Sequence, residues 1–182
     1  MLINQKISYV ILKIMTGFNV HRRALLIGDN PKRVKSAIFP PWSLPQVEFI
    51  DVCERCDLCR DACPEGIIYK GKGGFPEVNF SQAECTFCGK CLLACQSNAF
   101  IQQKKYRATQ AWPNKQASIL SKCLSLNAIV CRSCADYCDA DAIQFQLKLG
   151  GIAVPKIAID KCTACGACVH ACPNQSIEIT DE

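Results

Sequence analysis

At 182 residues the chain is long enough for one domain or two small ones, and its sixteen cysteines set it apart from ordinary globular composition. The formal charge of +5 lies wholly in residues 1–50, where seven Lys/Arg face Asp29 and Glu48, while residues 51–182 hold fourteen residues of each sign. A charge-balanced body without a basic groove interleaved with aromatics argues against a nucleic-acid partner.

Residues 1–44 read as a basic N-terminal arm outside the cysteine-rich body. Within it, ISYVILKIMTGFNV (residues 7–20) is apolar but broken by Lys13, and it is too short to span a bilayer. No small-residue cleavage site follows it, which argues against a secretory signal. A helix lying on a membrane surface is the functional alternative, and Met15 is a second candidate start. Arg22-Arg23 raises the question of twin-arginine export, but ALLIG runs at once into DNPKRVK, with no long apolar stretch. Pro40-Pro41-Trp42 predicts an extended segment.

The body follows as two copies of one plan. Residues 45–101 form the first module, 102–122 a polar linker broken at Trp112-Pro113, and 123–182 the second module. The cysteines fall into four groups with none left over: Cys53, Cys56, Cys59, Cys63; Cys85, Cys88, Cys91, Cys95; Cys123, Cys131, Cys134, Cys138; and Cys162, Cys165, Cys168, Cys172. Each group is followed, five positions after its last cysteine, by an apolar residue: Ile68, Phe100, Ile143 and Ile177. These are placed to drop a side chain over a metal site. Gly73-Gly74 and Gly150-Gly151 each stand between apolar runs and predict a β-hairpin in each module. The expected fold is α+β: tandem two-[4Fe-4S] ferredoxin-like modules, each with short helices and a small hairpin.

Three of the groups are strict C-x2-C-x2-C-x3-C runs. Cysteines so close on a tight loop cannot all find disulfide partners with acceptable geometry, and zinc sites more often pair two C-x2-C elements. The run fits an iron–sulfur cubane, in which three thiolates grip one corner and the last cysteine of each run ligates the neighbouring cluster. Four [4Fe-4S] clusters are therefore expected. One takes Cys53, Cys56, Cys59 and Cys95, and a second takes Cys85, Cys88, Cys91 and Cys63. A third takes Cys162, Cys165, Cys168 and Cys138. The fourth takes Cys131, Cys134 and Cys172, and needs one more ligand. A regular run would place it at position 128, which is alanine. Cys123 supplies it if the intervening residues loop out, at small entropic cost on the surface; the competing reading is a stray thiol.

His21 and His170 are single histidines read as surface or packing residues. Gly71-Lys72-Gly73-Gly74 lacks the spacing of a phosphate loop and reads as a turn. With no G-x-G-x-x-G and no nucleophile beside a base, the chain reads as a carrier of electrons or metal and not as an enzyme.

Six features together carry a resemblance: RRALLIG (residues 22–28), Pro40-Pro41-Trp42, GGFPEVNF (residues 73–80), ECTFCGKC (residues 84–91), Ala111-Trp112, and the wide third group. From about Arg22 onward the chain resembles the NapF family, the ferredoxin-type proteins of bacterial periplasmic nitrate reductase systems. A wide third group is a familiar trait of that family, which supports Cys123 as a retained ligand. The resemblance implies a cytoplasmic accessory protein, at most peripheral to the inner membrane. It also implies that the protein binds the precursor of the catalytic reductase subunit and assists maturation of that subunit's own cluster before export. The twin arginines then belong near the partner interface. The alternative is a plain electron-transfer ferredoxin or subunit docked to a membrane quinol-oxidising or reductase complex.

Overall fold

The computed structural model describes residues 37–102 and 105–181. The apolar stretch at residues 7–20, His21 and Arg22-Arg23 lie outside the described residues. Among those described, no helix is long and apolar enough to cross a membrane.

The regular elements are short, as expected of loops wound around cysteine sites. Helix α1 (Gln46–Val52) leads into the first cysteine group and buries Phe49. Helix α2 (Leu58–Asp61) carries Cys59. Strands β1 (Ile68–Lys70) and β2 (Pro76–Val78) then form an antiparallel hairpin, with Ile68 opposite Val78. Its turn holds Gly73 and Gly74 at φ 69° and 80°, the left-handed region that glycine enters freely. The expected turn at Gly71–Gly74 is thus present. Helix α3 (Lys90–Leu93) carries Cys91.

The second copy repeats the order. Helix α4 (Ser133–Asp136) carries Cys134. The hairpin of β4 (Ile143–Leu147) and β5 (Ala153–Ile157) turns through Gly150 and Gly151, and helix α5 (Ala167–His170) carries Cys168. One strand stands outside the expected plan. Lys115–Ile119, within the polar stretch read as linker, forms β3 and pairs antiparallel with β6 (Ile177–Asp181), so that Ala117 faces Ile179. The stretch preceding the second copy is thereby tied to that copy's end, and Lys115 and Asp181 close the ladder with an ion pair.

Pro40-Pro41-Trp42 does not run straight. The chain turns at Pro41-Trp42, with Trp42 at φ 60°, and buries the indole to 2 % exposure. Burial of this large ring outweighs the local cost of a left-handed backbone, about 1–2 kcal/mol. Trp42 and Trp112 anchor an aromatic cluster with Phe39, Phe49, Phe80, Phe87 and Phe100. Phe80 meets Trp112 edge to face at 5.6 Å. Both indoles find carbonyl acceptors: Trp112 Nε1 donates to Phe39 O at 2.8 Å and Trp42 Nε1 to Arg107 O at 3.0 Å. A smaller core of Ala117, Cys134, Ile143, Cys168 and Ile177 lies in the second copy, and Val169 and Ile179 touch both.

Candidate metal centres

The backbone of each cysteine loop is shaped before any side chain is considered. In three groups the residues on either side of the second cysteine have positive φ: Arg55 and Asp57 (58° and 65°), Phe87 and Gly89 (53° and 72°), Ala164 and Gly166 (56° and 87°). This pair of reversals curls the loop, and the second of them opens α2, α3 or α5. In the third group Arg132 takes φ −133° instead and the reversal moves back to Ala128, at 61°. A further reversal stands three residues after each last cysteine, at Gly66, Asn98, Asp141 and Gln175. It aims the next residues inward.

These loops bring all sixteen cysteines around four cavities, four to each. Cys53, Cys56, Cys59 and Cys95 line one of ≈ 330 Å³, here termed the Cys53 site. Cys63, Cys85, Cys88 and Cys91 line the Cys85 site, ≈ 320 Å³. Cys138, Cys162, Cys165 and Cys168 line the Cys162 site, ≈ 340 Å³. Cys123, Cys131, Cys134 and Cys172 line the Cys131 site, ≈ 310 Å³. Each cavity therefore takes three cysteines from one group and the last cysteine of the neighbouring group. The third group fits this scheme only because Cys123 reaches the Cys131 site from five residues before the regular position.

The intervening loop is held by its own bonds. Leu124 to Ala128 wind through a 3-10 turn, and Asn127 Nδ2 donates to Ser121 O at 2.9 Å and Cys123 O at 2.8 Å. The Ser125 hydroxyl, 5 % exposed, ties the turn to β5. Beyond it Ile129 and Val130 point to solvent, 53 % and 95 % exposed.

The apolar residues five places after each group behave alike. Ile68 lines the Cys85 site, Phe100 the Cys53 site, Ile143 the Cys162 site and Ile177 the Cys131 site. Each covers the cavity to which the last cysteine of its own group contributes. Two of those last cysteines also accept a backbone N–H, Cys138 Sγ from Ala142 at 3.3 Å and Cys172 Sγ from Ser176 at 3.1 Å. Such bonds favour a charged sulfur.

Bare thiolates are disfavoured at these sites. Burial first, and then the charges of neighbouring cysteines, push Cys59 and Cys134 up to about 11 and Cys85 and Cys91 up to about 12, with Cys168 raised as well. For Cys134 those neighbours are Cys123, Cys131 and Cys172. Four crowded thiolates are stable only around positive charge. Among the described residues, no three or more His, Cys, Asp or Glu converge on a position for one ion. The sulfurs line the cavity walls instead. Soft thiolates in groups of four, drawn from paired C-x2-C-x2-C runs, suit an iron–sulfur core.

His170 lies within the fold: its ring meets Tyr137 edge-on at 5.7 Å, and Nδ1 stands 3.3 Å from Glu84 Oε2 without the alignment of a hydrogen bond.

Comparison with known proteins agrees with the site chemistry. The 4Fe-4S dicluster domain matches twice, over residues 52–99 and 129–176. The second match begins after Cys123, so the fourth corner of the Cys131 site falls outside the general pattern. The ferredoxin-type protein NapF of Escherichia coli K12 is 39% identical over 156 residues, covering 86% of this chain and 92% of its own. That of Haemophilus influenzae is 41% identical over 176 residues, 92% of this chain and 97% of its own. The methylamine utilization ferredoxin-type protein MauM of Methylophilus methylotrophus is 28% identical, over 81% of this chain and 71% of its own.

Proposed function

Since the chain belongs to the NapF family of ferredoxin-type 4Fe-4S proteins, we propose that it is a non-catalytic accessory protein of the periplasmic nitrate reductase system and carries four [4Fe-4S] clusters. In this reading it works in the cytoplasm, binding the precursor of the catalytic subunit and supplying electrons or cluster components to it before export. The observation that supports it most is the division of sixteen cysteines into four cavities of four, each closed by a cysteine from the neighbouring group.

The Cys53, Cys85, Cys162 and Cys131 sites would each hold one cluster through their four thiolates. The bound group supplies reversible one-electron chemistry. The chain's own residues set its surroundings. Ile68, Phe100, Ile143 and Ile177 exclude water from one wall, and the Ala142 and Ser176 amides direct partial positive charge at Cys138 and Cys172. The reach of Cys63, Cys95, Cys138 and Cys172 into the neighbouring site locks each pair of loops together.

Anaerobic purification with iron and sulfide counting is expected to give about 16 of each per chain. A colourless, zinc-loaded or disulfide-bonded product overturns the cluster assignment. Capture from anaerobic extract with the tagged full chain tests the role. Recovery of the unexported catalytic subunit, signal sequence intact, is expected. Recovery of membrane quinol-oxidising partners alone favours a plain electron carrier instead.

A further inference from the structure

The backbone N–H of Cys85 donates to the carbonyl of Cys165 at 2.8 Å. The two residues belong to different modules and line different cavities. The contact is held from several sides. Gly166, next to Cys165, leaves space for the Phe80 ring, and any Cβ there would collide with it. Ala164, on the other side of Cys165, is 2 % exposed within the aromatic cluster that contains Phe80 and Trp112. Glu84, just before Cys85, lies 3.3 Å from His170 Nδ1 in α5. A hydrogen bond between two ligand loops, buttressed by an obligatory glycine and a buried alanine, is a built junction.

Inside each module a second contact continues the line. Helix α2, carrying Cys59, packs on α3, carrying Cys91; α4, carrying Cys134, packs on α5, carrying Cys168. We infer that the four cysteine sites form one series, in the order Cys53, Cys85, Cys162 and Cys131 sites, and that the Cys85–Cys165 contact is the junction between its halves. The alternative is two separate pairs, each exchanging electrons with its own partner. The inference rests on the iron–sulfur reading of the sites. What passes along the series is one electron at a time: the giving site is oxidised by one, the receiving site is reduced by one, and no bond or proton changes place. A one-electron reductant serves one end and a one-electron acceptor protein the other. Cys123 then completes a terminal site.

The test uses the full chain with the outer sites disabled by Cys53→Ser, Cys56→Ser, Cys131→Ser and Cys134→Ser, reduced by dithionite under anaerobic conditions. Iron is expected to fall from about 16 to about 8 per chain. The two remaining spins are expected to broaden one another in the EPR spectrum, and adding Phe80→Ala, which removes the ring packed on Gly166 without touching a ligand loop, is expected to narrow them at unchanged iron content. About 8 iron per chain with two independent signals before that change overturns the series but leaves the clusters intact. A parent chain without iron overturns the reading beneath it. If the quadruple variant does not load, hydrogen exchange on the parent chain decides the matter. A protected Cys85 amide that Phe80→Ala exposes, with the 53–63 segment unchanged, supports the junction. A Cys85 amide exchanging freely in the parent rules it out.

Discussion

The Ser125 hydroxyl donates to the Ala153 carbonyl at 2.6 Å, joining the loop that follows Cys123 to the first residue of β5. Ser125 is buried while Ala153 is half-buried, so water replaces the bond only in part when the hydroxyl is removed. Ser125→Ala is expected to cost about 0.5–1.5 kcal/mol, the net worth of one hydrogen bond. Chemical denaturation measures the loss, and chelator challenge is expected to strip iron from the Cys131 site before the other three.

Removing the neighbouring thiol tests the ligand itself. Cys123→Ser is expected to lower iron from about 16 to about 12 per chain, or to leave an altered cluster at one site only. Unchanged iron content and an unchanged EPR spectrum would show that Cys123 is not a ligand.

The apolar wall of each site offers a graded probe. Phe100 is 2 % exposed and meets Phe49 at 6.4 Å. Phe100→Ala is expected to destabilise the chain by about 3–5 kcal/mol, and Ile177→Val by only about 0.5–1.5 kcal/mol. Both losses appear as lower denaturation midpoints. Phe100→Ala is also expected to hasten oxidative loss of the cluster at the Cys53 site, because water gains access there.

The raised thiols predict opposite alkaline behaviour for the metal-free and loaded chains. In the folded metal-free chain Cys59 and Cys134 are pushed from 9.0 to about 11, and Cys85 and Cys91 to about 12. A pKa raised by folding means that its contribution to stability is fully present below pH 9 and is lost as pH rises through the folded values. Between pH 9 and 12 the urea midpoint of the metal-free chain is therefore expected to fall. In the loaded chain the same sulfurs are already thiolates bound to iron, and no matching loss from them is expected over that window.

Much of the site was legible in the spacing of the cysteines, because a tight C-x2-C-x2-C loop admits few geometries. The spacing left Cys123 as the candidate to join Cys131, Cys134 and Cys172, with a stray thiol as the alternative, and the four line one cavity. Gly73-Gly74 and Gly150-Gly151 marked both hairpins for a local reason, the need for positive φ in the turn. Strand β3 left no such mark. In Lys115–Ile119 only Ala117 is buried, too small a residue to signal a strand, and its partner lies some sixty residues further on. The turn at Trp42 was equally hidden, since proline restrains its neighbours locally while the indole follows a distant core. The junction between modules rests on a main-chain N–H and carbonyl, groups that every non-proline residue carries.

Both tryptophans of the chain, Trp42 and Trp112, lie in one aromatic seam, each within 6.1 Å of the Phe87 ring, which stands beside Cys88. Ultraviolet-excited emission from this protein thus originates in a single neighbourhood. Filling the adjacent sites with a broadly absorbing chromophore darkens it, and loosening the seam shifts it to the red, so the molecule carries its own optical gauge of loading and of cohesion.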